Sequence, residues 1–268
     1  MAKTIYLKKE EISLKSLQWK VLGLVLALLL GAAGPASAFE IGARVQYWFS
    51  AFEADIKADD GGVLGTTINA KDTLGIGNKA IPGFEAFIGG GNHRLTFGYT
   101  PLSYSGSSVL GREITFAGTT FSVHAPVNTE LSIRMLDLEY QYTLLDMENL
   151  LAGFSLGAIG QIKFVDGEAK IASGGIQAKG TARLPLPMVG LGAHVGLLAD
   201  ILEARAKLTG ISYSGHYLYE AQADISFTPF PFLDLHAGYR QISLRIDRDD
   251  LFVDGRFTGP YLGLTVSF

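Results

Sequence analysis

Between residues 39 and 52 apolar and polar side chains alternate one by one. Ile41, Ala43, Val45, Tyr47, Phe49 and Ala51 share one face, and Glu40, Gly42, Arg44, Gln46, Trp48 and Ser50 the other. A period of two marks a β-strand whose faces meet different surroundings. Similar stretches recur at 81–90, 94–104, 130–142, 154–165, 187–198, 202–211, 217–227, 233–246 and 256–268. The pattern predicts ten strands, each near the roughly 9–11 residues that a tilted membrane strand needs.

The connections alternate between short and long. Residues 89–92, 143–153, 199–201 and 228–232 form one set, and 143–153 has helical character that suggests a one-turn cap. The other set, 53–80, 105–129, 166–186, 212–216 and 247–255, is more polar and mostly longer. Alternating short turns and long loops, with an even strand number and both termini on the short-turn side, is the arrangement of bacterial outer-membrane barrels. Within the second long loop, 113–124 is itself strand-like and is expected to stand as a hairpin above the membrane. If it and part of the first loop crossed the bilayer, the count would be twelve; loss of the weakest pair would leave eight.

Two strands change phase midway. In 130–142 the polar positions are Glu130, Ser132 and Arg134, then Asp137, Glu139 and Gln141; in 233–246 they are Asp234, His236, Gly238 and Arg240, then Ser243 and Arg245. A one-residue slip sends every later side chain to the other face. This predicts β-bulges near Met135–Leu136 and Arg240–Gln241. The alternative is that the upper part of each strand has left the membrane, where the faces are no longer enforced. Leu184-Pro-Leu-Pro187 is expected to stiffen the entry to a strand, since proline belongs at strand starts and edges.

The chain ends on Tyr261, Leu262, Leu264, Val266 and Phe268, in a strand with one apolar face and a terminal aromatic. It begins with Lys8, Lys9, Lys15 and Lys20, an apolar run from Val21 to Leu30, and Ala36-Ser37-Ala38. A basic segment, a short apolar core and an A-x-A site predict a signal peptide over 1–38 and a single domain over 39–268. Residues 1–38 hold five Lys and two Glu, so residues 39–268 carry 17 basic against 24 acidic side chains, a net charge of −7. That balance argues against a nucleic-acid partner, which calls for a basic stripe. With no Cys there are neither disulfides nor thiolate metal sites. The chain is 48% hydrophobic, with 33 Gly, 16 Phe and 11 Tyr, yet residues 39–268 hold no charge-free run long enough for a spanning helix.

Signal peptide, lipid-facing alternation and a terminal aromatic together resemble the Gram-negative outer-membrane β-barrel proteins, the small porin-like and OmpA-like barrels, over residues 39–268. The resemblance implies an all-β, transmembrane, up-and-down antiparallel barrel set among outer-membrane lipid and lipopolysaccharide. Termini would be periplasmic and long loops extracellular. It also implies that the last strand, Tyr261 to Phe268, is the signal read by the barrel-insertion machinery.

Parity places an unusual number of charges on inward faces. The acids are Glu40, Glu85, Asp137, Glu139, Glu203, Glu220, Asp224 and Asp234; the bases are Arg44, Arg134, Lys163, Arg205, Lys207, Arg240 and Arg245. Selective pores commonly line their constriction with one sign, whereas mixed charges in a narrow barrel pair across it. The expectation is a largely closed, salt-bridged lumen, with Trp48 packed inside and aromatics near strand ends forming an interfacial girdle. No cofactor motif is present. The acidic loops at 59–62 and 247–254 lack Ca²⁺-loop spacing and read as solvated. His216, near Ser212 and Ser214, is the only arrangement resembling a Ser–His pair, although Ser and Gly are also turn residues. The resulting expectation is a non-enzymatic structural or surface-interaction protein. The alternatives are a narrow channel for small solutes, a rim-active lipid or peptide hydrolase using His216, and an exported lipocalin-like calyx.

Overall fold

The computed structural model describes residues 39–60, 62–147, 153–198, 201–248 and 251–268. The expected signal peptide, 1–38, lies outside the described residues, as do 148–152 of the expected helical cap. Thr143 to Met147, the other side of that cap, continue a strand instead. The elements are β1 (Phe39–Ala58), β2 (Ile68–Asn69), β3 (Lys79–Gly90), β4 (His93–Val109), β5 (Ile114–Phe116), β6 (Thr119–Phe121), β7 (Pro126–Met147), β8 (Phe154–Ser173), β9 (Ile176–Leu198), β10 (Leu202–Tyr213), β11 (His216–Phe230), β12 (Leu233–Arg248) and β13 (Leu251–Ser267).

Ten of these form one antiparallel wall, in the order β13-β12-β11-β10-β9-β8-β7-β4-β3-β1, and β13 pairs back onto β1. The ten-strand expectation holds. Closure removes both sheet edges, which an open sheet in hydrocarbon could not leave bare. At the seam Ile41 and Phe268 exchange backbone hydrogen bonds of 2.9 and 2.8 Å. Higher up Val45 faces Leu264, Trp48 faces Tyr261 and Ala58 faces Leu251.

Strand length explains the phase changes. β1, β7, β8 and β9 run 20, 22, 20 and 23 residues, about twice what crosses a bilayer. Their register continues unbroken through Met135–Leu136 and Arg240–Gln241. The expected bulges are therefore absent, and register shifts fall instead at Thr143/Leu145, Leu202/Glu203 and Phe227/Phe230, near the termini end. What changes is the environment on each side of the wall. In β8 the outward residues are Phe154, Leu156, Ala158, Ile162 and Phe164, then Asp166, Glu168 and Lys170, while the inward ones pass from Gln161 and Lys163 to Val165, Ala169 and Ile171. β1 inverts between Ala51 and Phe52, and β12 between Gln241 and Ile242. The half holding Phe39 and Phe268, here the base, is apolar outside and polar inside. The other half, the crown, has a soluble protein's polarity.

The outer face of the crown carries ion pairs in place of hydrocarbon contacts. Lys170 and Lys179 Nζ lie 2.8 and 2.7 Å from the two Glu168 carboxylate oxygens, and these hydrogen bonds hold Glu168 down at about 2. A depressed carboxylate adds stability that is complete above its ordinary range and lost as pH falls through the folded value. The difference in thermal midpoint between wild type and Glu168→Gln should be constant above about pH 5 and close towards pH 2; a midpoint scan across pH checks it.

Loops close most of the crown. β5 and β6 form the expected hairpin, which stands over the mouth without joining the wall. Thr66 N–H donates to Thr115 O at 2.8 Å and Ala117 N–H to Ala58 O at 3.1 Å; Ile68, Leu74, Leu110 and Ile114 are fully buried beneath. The wall ladder fails at two places. Above Phe84↔Tyr99, β3 and β4 separate, and residues 68–76 fill the space through Ile76↔Gly106 and the Ser108 hydroxyl donating to Thr73 O. Above Val189↔Gly210, β10 leaves β9, and among the described residues no strand pairs with that edge of 176–188. Pro185 and Pro187 stand there. The strand runs on to Ile176 rather than starting near them, so the prolines mark an edge, where a missing N–H is tolerated.

Candidate functional site: a charge-laced lumen beneath an apolar chamber

The inward faces of the base converge on a network of opposite charges. Lys163 Nζ, on β8, lies 2.5 Å from Asp137 Oδ1 on β7 and 2.9 Å from Glu220 Oε2 on β11. Arg240, on β12, places Nη2 2.6 Å from the other Glu220 oxygen. The side chains of Lys163, Glu220 and Arg240 are only 0, 2 and 4% exposed, so the three ions satisfy one another across the barrel rather than through water. Arg240 also stacks over Trp48, 5.1 Å from the ring centroid. The Trp48 indole donates to Gly259 O at 3.1 Å. The β1 and β13 backbones come so close here that only glycine fits at 259, where a Cβ would lie 2.0 Å from Phe49 O.

Towards the termini the pairs are more open. Lys207 meets Glu139 at 2.8 Å, Arg44 meets Glu85 at 3.2 Å and Arg205 meets Asp224 at 2.9 Å. Asp224 also accepts from the Tyr261 hydroxyl at 2.6 Å, and that hydroxyl accepts from Gln222 at 2.6 Å. His236 touches Arg205 and shares a 2.7 Å hydrogen bond with Thr265 Oγ1. His194 faces Glu203 at 3.2 Å, and Asp234 accepts from Thr228 Oγ1 at 2.7 Å. Glu40 pairs with Arg94 at 3.1 Å. These groups rim a polar vestibule of about 590 Å³ at the termini end.

Thirteen of the fifteen residues expected in the lumen network therefore line it. The other two do not. Arg134 points outward, 63% exposed, 2.8 Å from Asp166, and Arg245 is outward and 3.4 Å from Asp254. Both sit above the inversion, where the polar face is the outer one. Arg94 was missed, although it shares parity with the inward Thr96 and Gly98; its place beside the tight turn hid it. Of the last strand, Leu262, Leu264 and Phe268 are exposed on the outer face, whereas Tyr261 is buried inside. Trp48 packs inside as expected. Tyr47, Phe49, Phe84, Phe97, Tyr142, Phe164, Tyr219, Phe227 and Tyr239 lie exposed on the outer face. The lipocalin-like alternative fails in the base, where the apolar side chains are outside.

Above the network an apolar floor crosses the barrel. Phe52 stacks between Tyr104 and Phe257, with ring centroids 5.0 and 4.8 Å away, and Trp48, Met135, Leu218 and Ile242 complete the buried cluster. Over this floor is a chamber of about 350 Å³ lined by Ala54, Leu131, Ile133, Val165, Ile171, Leu186, Leu244 and Val253. It stays open because Ala54, Gly167, Ala169, Gly180, Ala182 and Gly255 occupy inward positions with little side chain. At its rim His216 Nδ1 accepts the Asp247 backbone N–H at 2.9 Å, and Ser214 occupies the turn at φ 50°.

No known protein family and no curated protein matches the sequence. Solved structures resemble it in fold. The outer-membrane protease OmpT from Escherichia coli superposes with a TM-score of 0.56 at 10% identity, over 87% of this chain and 99% of that one. The beta domain of the Bordetella autotransporter BrkA gives 0.43 at 16% identity over 87% and 100%, and Ail of Yersinia pestis 0.35 at 10% identity over 85% and 99%. The protein has the fold of the outer-membrane β-barrels. Within that class it is a closed ten-stranded barrel with a charge-paired lumen.

Proposed function

We propose that residues 39–268 form an integral outer-membrane barrel that seals rather than conducts, exported by a signal peptide over 1–38. Its role is structural or surface-interacting, not catalytic. The observation that carries this reading is the buried Lys163–Glu220–Arg240 bridge, capped by the aromatic floor. Solute passing through would have to separate ions that hold one another away from water, at several kcal/mol. The apolar belt of the base is matched to hydrocarbon, surrounded by outer-membrane lipid and lipopolysaccharide. Phe39 and Phe268, the two ends of the barrel wall, lie at the base, which supports a periplasmic base and an extracellular crown. Leu262, Leu264 and Phe268 are outward on the last strand, the segment that the insertion machinery would read.

Purified, heat-modifiable protein in a planar bilayer should show no steady openings. Steady openings from the folded species would overturn the sealed-barrel reading in favour of a narrow channel. The OmpT neighbour is named a protease, and 10% identity carries only its fold. His216 spends Nδ1 on a backbone amide rather than on Ser212 or Ser214. The same sample should cleave neither peptide nor phospholipid; hydrolysis lost in His216→Ala would restore the hydrolase reading.

A further inference from the structure

The crown chamber has a side entrance. β9 rises past the tip of the β10–β11 hairpin, and its edge over 176–188 is paired with no strand among the described residues. The comparable opening beside β4 is filled by residues 68–76, but the chamber lining reaches this one: Ala182, Leu184 and Leu186 on one side, Tyr213 and His216 on the lip, Ile246 on the other. The lip stands where the outer face changes character. Leu208 and Tyr219 are exposed just below it, and Arg183, 80% exposed, stands above Pro185 and Pro187. Hydrocarbon and headgroups meet at that level of a membrane barrel.

An apolar cavity too poor in polar partners for water stays dry, and one of about 150 Å³ already holds benzene. A void of about 350 Å³ exceeds that more than twofold, and every wall facing it lacks contact on one side. At about 30 Å³ per methylene, a water-sized share, it accommodates roughly a dozen. Of the polar residues along its lining, Tyr213 and His216 stand at the lip, Glu168 and Arg245 turn their side chains out from the wall, and Thr129 is the polar side chain buried within. The occupant this describes is amphipathic, with a chain inside and a polar head at the entrance.

We propose that the chamber binds one medium-length alkyl chain, admitted laterally between β9 and the β10–β11 hairpin from the membrane surface. The chain belongs either to a free fatty acid or to a lipid of the surrounding leaflet. The site rests on the membrane setting proposed above for its route of entry, but not on the lumen being sealed.

Trp48 provides the readout. It is the only tryptophan from residue 39 onward, and it shares the buried cluster with Phe52, Met135 and Phe257, which line the chamber. Protein in phospholipid nanodiscs is titrated with dodecanoate brominated at its terminal carbon. Saturable quenching of Trp48, reversed by plain dodecanoate but not by butyrate, is the expected result. The variant Gly167→Leu fills the space, since a Cβ at 167 meets nothing closer than 3.9 Å; it should lose at least tenfold in apparent affinity while keeping heat-modifiable migration. Nanodiscs of phospholipid brominated near the chain end provide the second arm. Quenching there in wild type but not in the variant assigns the chain to leaflet lipid; quenching by the free acid alone assigns it to fatty acid. Non-saturable quenching, quenching equal in both proteins, or no effect on folded wild type would overturn the proposal, and wild-type competition decides it even if the variant does not fold. Bilayer conductance on the same preparation reports separately on the seal.

Discussion

Glu220→Leu should destabilise the barrel by about 3–5 kcal/mol and make it leak. Glu220 divides its two oxygens between Arg240 and Lys163, at 2.6 and 2.9 Å. Without it Arg240 loses its carboxylate partner, and Lys163 keeps only Asp137. A buried charge stripped of its partner costs more than the intact pair contributes, because nothing replaces its solvation. Water is the only compensating species, and its entry opens the lumen. The thermal midpoint of heat-modifiable migration should fall by many degrees, and single-channel openings should appear in planar bilayers. The double variant Glu220→Leu/Arg240→Met should recover part of the lost stability, since it removes the stranded cation. If the double variant is as unstable as Glu220→Leu alone, pairing is not what holds the lumen closed.

Leu191→Arg carries the second large effect, a loss of about 2–4 kcal/mol if the position lies near the bilayer midplane. Leu191 is outward on β9 and 55% exposed in the apolar belt. Eight residues along the same strand and the same face, Arg183 is 80% exposed and pairs with Asp166 at 3.1 Å. Arg183→Leu should change stability by no more than about 0.5–1 kcal/mol, as expected of an exposed ion pair. Urea unfolding in lipid vesicles measures both. Equal effects at 183 and 191 would mean that the inversion along the strand does not mark the membrane boundary.

Strand existence, antiparallel order and the ten-strand count were legible because period two is enforced wherever one face meets lipid. Strand length was not. The alternation over 154–165 and 187–198 stops running apolar-out near Val165 and Pro187 and predicts strand ends there; β8 and β9 continue to Ser173 and Ile176. The phase changes at Met135 and Gln241 were visible, but a bulge and an inverted environment leave the same trace in sequence. Parity then assigned Arg134 and Arg245 inward by following polarity where position along the strand had to be followed instead. Parity alone places most of the inward charges of the base, because a charge there has no apolar-side alternative, but Arg94, beside the tight turn, was missed. The chamber was not readable, since it is made by Gly and Ala at inward positions, and small residues also occur in strands for other reasons.

Trp48 also bears on how the chain reaches this state. Its indole bonds to Gly259 across the β1–β13 seam, joining residues 211 apart in sequence, and such distant pairings are slow to form. The ladders between consecutive hairpins can assemble without it. Tryptophan emission should therefore lag behind the gain of β-structure during refolding into vesicles, and time the moment at which the first and last strands meet.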